Sequence, residues 1–181
     1  MDLESQIGQM LMVGFRGTSA DTGDSIVRDI EAYGVGSVVL FDYDVLLGET
    51  GRNIESLDQV KGLVGRLQQR AERPLLICVD QEGGQVCRMK ETLGFPRLAS
   101  AQSLGAFDDI ERTSHGAQRT AQALSDLGIN FNLAPVVDVN LHSSNPVIGA
   151  KSAAFRRIPK WLYVMHAPLS MRIDRQVLRA H

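Results

Sequence analysis

Leu75-Leu76-Ile77-Cys78-Val79 runs without a polar side chain, opened by Pro74 and closed abruptly by Asp80-Gln81-Glu82-Gly83-Gly84. A run this short that is apolar at every position presents two apolar faces, the situation of a strand in a parallel sheet covered by helices. That constrains the whole chain. Parallel strands cannot be joined by tight turns, so each needs a crossover of a dozen or more residues, normally a helix.

The rest of the sequence keeps to that rhythm. Residues 2–9 read as a lead-in helix and Met10–Phe15 as a first strand, followed by a polar turn over Thr18–Asp24. Ile26, Val27, Ile30 and Ala32 recur at helical spacing, with Gly34 placed to end that helix. Ser37–Phe41 is the second strand, with a long loop, Asp42–Asn53, at its carboxyl end. Ser56 and Gln59 have capping-box spacing, and Val60, Leu63, Val64 and Leu67 form the buried stripe of the helix they open. After the strand at 75–79, Asp108 with Glu111 starts another helix, which carries Ala117, Ala121 and Leu124 to a stop at Gly128. Ile129–Val137 is the fourth strand. Strand and helix alternating in this way predict an α/β fold of about four parallel β/α units.

Composition excludes some functions. A formal net charge of −2 over 181 residues gives no electrostatic reason to expect nucleic acid or an anionic membrane as partner. The Met-Asp-Leu-Glu start is acidic where a signal peptide is basic, and no apolar stretch approaches the length of a membrane span. Cys78 and Cys87 lack CxxC or zinc spacing. The expectation is a cytoplasmic protein with reduced thiols.

Ligands of α/β proteins bind at the carboxyl ends of the strands. Asp80 stands at such an end, and a tight glycine turn returns Arg88 toward it, which suits a polar clamp. On spacing alone, an Asp80 that merely caps the turn and an Arg88 on the surface are equally good readings. Asp138, after the fourth strand, faces the same choice, with a structural role favoured, and Glu82 is assigned to stabilising the turn. His142, His115 and His166 have no partner at metal-ligand spacing, so no metal is expected. Gly83-Gly84 matches neither phosphate-binding glycine pattern.

Asp80-Gln81-Glu82-Gly83-Gly84 with Val86 and Arg88 resembles the N-terminal barrel domain of family 3 glycoside hydrolases, on the β-N-acetylhexosaminidase side. Val13-Gly14-Phe15-Arg16-Gly17, Gly51-Arg52-Asn53-Ile54-Glu55-Ser56, Gly94-Phe95-Pro96, Ala134-Pro135-Val136-Val137-Asp138-Val139-Asn140 and Asn145-Pro146-Val147-Ile148-Gly149 agree in order. The resemblance implies a (β/α)8 barrel, of which this chain has the first half, because complete barrels run to about 200 residues or more. It also implies that Asp80 and Arg88 hydrogen-bond the non-reducing sugar. The implied reaction is retaining removal of terminal β-linked N-acetylglucosamine, as from cell-wall fragments, with no cofactor; a β-glucosidase-type hydrolase is the alternative. An aspartate nucleophile and a histidine acid belong to later barrel units, beyond residue 181, so no catalytic residue is assigned and the chain itself is expected to be inactive. A non-catalytic fragment that binds sugar or self-associates is the rival reading.

The resemblance ends after Gly149, which divides the chain into a half barrel over 1–150 and a divergent tail over 151–181. Where the family implies Arg-Ser-Phe, this chain has Lys151-Ser152-Ala153-Ala154-Phe155. Synonymous codons exist for Lys151–Gln176 that, read two bases later, spell Glu-Arg-Ser-Phe followed by an Asp-Pro helix start. The tail is therefore expected to be translated out of frame. Sequencing the gene and its downstream flank checks this; a shifted frame that lacks Arg-Ser-Phe, or stops before a Lys-His-Phe-Pro-Gly-His type segment, refutes it.

Overall fold

A computed structural model describes residues 1–138, Asn140 and Ser144. The tail over 151–181, with its expected change of frame, lies outside the described residues, as do His142 and His166.

Helix α1 (Leu3–Gln9) is capped by Asp2, whose carboxylate accepts from the Ser5 N–H at 2.8 Å. Strand β1 (Met12–Gly14) leads to α2 (Ser25–Tyr33), which stops at Gly34 in the left-handed region, φ 61. After β2 (Ser37–Leu40), where the sequence predicts a plain loop, comes an antiparallel hairpin of β3 (Tyr43–Asp44) and β4 (Glu49–Thr50). Helix α3 (Leu57–Arg70) starts as expected, the Ser56 hydroxyl accepting from the Gln59 N–H at 3.1 Å. Strand β5 (Leu76–Val79) is followed by a second small antiparallel pair, β6 (Gln81–Gly83) and β7 (Val86–Cys87), and a 3₁₀ turn at Glu91–Leu93. Helices α4 (Ala101–Phe107) and α5 (Ile110–Asp126) precede β8 (Phe131–Asn132).

The main sheet is parallel throughout, in the order β1-β2-β5-β8. Spatial order equals chain order, so right-handed crossovers all lay their helices on one face of the sheet. A doubly wound fold would reverse order part-way. The described residues thus form four successive β/α units, the arrangement of half a (β/α)8 barrel.

The register explains the core. Val38 and Leu40 lie beside Ile77 and Val79, all at 0% exposure, on the face covered by Ile26, Val27 and Ile30 of α2 and by Val60, Leu63, Val64 and Leu67 of α3. The opposite face is open at Met12, Leu76 and Phe131, which are 42%, 44% and 41% exposed. Leu76 therefore corrects the expectation that the 75–79 run is buried on both faces. Ser37 and Cys78 share that face and are buried, so it is open in part and not throughout.

Further differences have local causes. Strand β8 is far shorter than the expected 129–137: its ladder ends with the Leu133 N–H on the Val79 carbonyl, 2.9 Å, and Pro135 has no N–H to offer. Helix α4 is not legible in the sequence, because it buries only Ala101 and no apolar periodicity marks it. Asp109, one residue later than expected, caps α5 by accepting from the Arg112 N–H at 3.0 Å; Asp108 instead takes φ 48 and joins the two helices. The buried residues of α5 are Thr113, Thr120 and Leu124, with Ala117 and Ala121 half-buried. Two threonines can be buried there because their hydroxyls donate to the Asp109 and Gly116 carbonyls at 2.8 and 2.9 Å.

Two glycines that take the same substitution separate tight packing from chain entropy. A Cβ on Gly36, just before β2, would lie 2.4 Å from the Gln9 carbonyl oxygen, with other backbone atoms close behind. A Cβ on Gly65, inside α3, meets nothing within 4 Å. Urea titrations should therefore show Gly36→Ala destabilising by about 1–3 kcal/mol and Gly65→Ala stabilising by about 0.5–1 kcal/mol. Equal effects in the two variants would contradict this packing.

Candidate functional site

The ends of β1, β2 and β5 converge on one polar cluster. Asp80 directly follows β5, and the buried Gln81 beside it ties down the excursion that follows. The Gln81 side-chain amide donates to the Met89 carbonyl and accepts from the Met89 N–H, both at 3.0 Å, so the chain returns with Arg88 next to Asp80. Asn132 of β8 fixes the same residue from the other side, accepting from the Gln81 N–H at 3.0 Å and donating to its carbonyl at 3.2 Å. Gly83 has φ 99, and a Cβ there would lie 2.1 Å from the Ala99 carbonyl oxygen. The glycine pair is required for this close backbone approach.

Arg88 is shared between two carboxylates. Its Nη2 lies 3.2 Å from Asp80 Oδ2 and its Nη1 3.4 Å from Asp42 Oδ1, while Lys90 Nζ holds the other Asp42 oxygen at 2.9 Å. The guanidinium lies over the Phe41 ring, 5.7 Å from its centroid, and Arg52 lies over the same ring at 5.0 Å. Arg52 Nε donates to the Phe15 carbonyl at 2.9 Å, which ties this ring to the end of β1. Side-chain exposures of 25% for Asp80, 26% for Arg88 and 15% for Asp42 leave the cluster anchored yet reachable.

A second anchor lies behind it. Asp44, with a side chain only 3% exposed, accepts from Arg16 Nε and Nη2 on its two oxygens and from the Leu46 and Leu47 N–H groups at 3.0 and 3.2 Å. The Arg16 hydrogen bond, with smaller help from those N–H groups, holds the Asp44 carboxyl down at about 2. Buried Asn53 joins the strand ends, accepting from the Phe41 N–H at 3.0 Å and donating to the Phe15 and Gly17 carbonyls at 3.3 and 3.0 Å.

Of the residues singled out from sequence, Asp80 and Arg88 are brought together. Asp138 is exposed and makes no ion pair with them among the described residues, and His115 is exposed on α5. No group of three or more His, Cys, Asp or Glu capable of holding a metal occurs among the described residues. No described helix is long and apolar enough to cross a membrane. Asp42, Lys90, Arg52 and Phe41 were not picked out. A signal for Asp42 existed, because it too directly follows an apolar strand run. A separate wide cleft runs between α5 and the β8 edge, lined by Gly83, Ser100, Ala117, Ala121, Phe131 and Val137, and neither Asp80 nor Arg88 lines it.

Alternating carboxylates and cations beside one aromatic ring make a surface of closely spaced acceptors and donors, suited to a neutral polyhydroxyl ligand. The sequence profile of the glycosyl hydrolase family 3 N-terminal domain matches residues 2–160. A β-hexosaminidase of Xanthomonas axonopodis pv. citri is 38% identical over 151 residues, spanning 79% of this chain and 40% of the relative. A family 3 β-N-acetylglucosaminidase from a Paenibacillus species superposes with a TM-score of 0.74 at 32% identity, over 99% of this chain and 30% of that one. NagZ from Neisseria gonorrhoeae, solved with N-trifluoroacetyl-D-glucosamine, gives 0.60 at 27% identity over 80% of this chain and 40% of that one. The chain thus spans well under half the length of these relatives.

Asp44 makes the acid response predictable. A carboxyl lowered from 3.8 to about 2 in the folded chain contributes stability that is fully present above about pH 4 and lost as pH falls toward 2. Urea midpoints measured from pH 5 to pH 2 should fall less steeply in Asp44→Asn than in the parent chain, from a lower starting value. Identical slopes would show that Asp44 does not carry this dependence.

Proposed function

The chain belongs to the glycosyl hydrolase family 3 N-terminal domain family, and from that membership we propose that its Asp80–Arg88 cluster binds the non-reducing sugar of a β-N-acetylglucosaminide. The observation that carries this reading is the Arg88–Asp80 pair at 3.2 Å, half-open at the carboxyl end of a parallel strand. There a carboxylate can take two sugar hydroxyls while the guanidinium supplies donors beside it. Retaining cleavage of terminal β-N-acetylglucosamine, as in cell-wall fragments, is the activity proposed for a whole protein of this kind. No residue of this chain is assigned the role of nucleophile or acid, so the chain alone binds sugar and does not turn it over. The buried Cys78 and half-buried Cys87, both free thiols, support a reducing, cytoplasmic setting.

Titration with N-acetylglucosamine, followed by ligand-observed NMR, tests the site. Asp80→Ala and Arg88→Ala should each weaken binding about ten- to a hundredfold, the scale of a hydrogen bond to a charged group. Unchanged affinity in both would refute the assignment. The purified chain should release no chromophore from an aryl β-N-acetylglucosaminide above a blank.

A second reading rests on the open sheet face. Met12, Leu76 and Phe131 expose an apolar surface on the sheet, whose outermost strands are β1 and β8, and a second copy of this chain would bury it. Sedimentation at micromolar concentration should then report self-association, with a stable folded monomer as the opposing result.

A further inference from the structure

We propose that Asp42 is a positioning residue that keeps Asp80 available to the sugar by competing with it for Arg88. The proposal rests on the sugar-binding reading of Asp80 and Arg88, but its structural content can be tested separately.

An arginine facing a single carboxylate settles into two parallel N–H···O bonds. Arg88 does not do so here. It gives one arm, Nη2, to Asp80 Oδ2 and the other, Nη1, to Asp42 Oδ1. Its Nε is buried and has no hydrogen-bond partner among the described residues, and Asp80 Oδ1 accepts none there. A buried donor without an acceptor is costly. Turning the guanidinium to present Nε and Nη2 together to Asp80 would satisfy it, and would also occupy both Asp80 oxygens. The arrangement that is best for the pair alone is therefore the one that closes Asp80 to a ligand.

Asp42 opposes that turn. It lies at the root of the β3–β4 hairpin, where its carbonyl accepts from the Gly51 N–H at 2.8 Å, so its backbone is fixed. Lys90 Nζ grips its other oxygen at 2.9 Å, which orients the carboxylate toward Arg88. The Phe41 ring beneath the guanidinium limits motion out of plane. The hairpin thus delivers a second carboxylate to the site, and its effect on sugar binding passes through Arg88.

The experiment is a crystal structure of the 181-residue chain carrying Asp42→Asn, together with N-acetylglucosamine titration of that variant and of Asp42→Glu. The expected structure has Arg88 Nε and Nη2 on the two oxygens of Asp80, with sugar binding about tenfold weaker, the equivalent of one lost hydrogen bond to a charged group, and restored by glutamate. Arg88 still touching Asp80 through a single nitrogen in Asp42→Asn overturns the proposal. A second measurement needs no variant. In the parent chain, nitrogen-15 spectra of the Arg88 side chain should show two distinct Nη groups, each held by its own carboxylate, and a single averaged Nη signal also overturns it. If the parent chain binds no N-acetylglucosamine, the sugar-site reading fails, while the Arg88 geometry still decides the role of Asp42.

Discussion

The parallel register between β2 and β5 places everything at the working end of this fold. Leu40 lies beside Val79, so the next residues of each strand, Phe41 with Asp42 and then Asp80, emerge at the same level. Shifting either strand by a single residue would turn its own pair, Val38 and Leu40 or Ile77 and Val79, out of the core and rotate the strand-end carboxylates away from each other. The register is held by the burial of those four side chains at 0% exposure under α2 and α3. Site geometry is therefore a by-product of core packing, and two carboxylates separated by 38 positions in sequence can share one arginine.

Side-chain amides finish what the short strands begin. Gln68 brackets Leu75 with a donated and an accepted bond of 2.9 and 3.0 Å, and Asn130 accepts from Ile77 at 2.7 Å while donating to Leu75 at 2.8 Å. Asn53, Gln81 and Asn132 do the same at the other end. An amide carries one acceptor and two donors, so it can replace a missing strand neighbour for buried backbone groups. This is how strands of two to four residues find partners for backbone groups at their ends, and why the segments beyond them can hold Arg88 and Arg52 in fixed places.

The hairpin between β2 and α3 shows a different economy. Its tip exposes Val45, Leu46 and Leu47 at 81%, 86% and 60%, so apolar burial does not hold it. Its order comes from Asp44, which is paired with Arg16 and caps the turn, and from backbone bonds at its root to Gly51 and Asn53. Burying one carboxylate that is paired with Arg16 and accepts from two backbone N–H groups lets a segment with little apolar burial stand at the rim next to the site.

On spacing alone the role of Asp80 and Arg88 is an open choice that only the resemblance favours; the α/β class, the helices α1, α2, α3 and α5, and the buried stripes of α2 and α3 are legible in the sequence itself. All of these depend on short-range patterns: helical or continuous apolar spacing, a capping serine, a glycine stop. Tertiary structure alone decided the rest. Leu76 is apolar yet 44% exposed, because burial depends on what lies opposite the sheet. Thr113 and Thr120 are polar yet buried, because their hydroxyls find carbonyls one turn back. Asp42, Lys90, Arg52 and Phe41 join Arg88 only because parallel strands bring distant segments to one rim. Spacing along a chain records neighbours within a few residues, and contacts across a sheet carry no such mark.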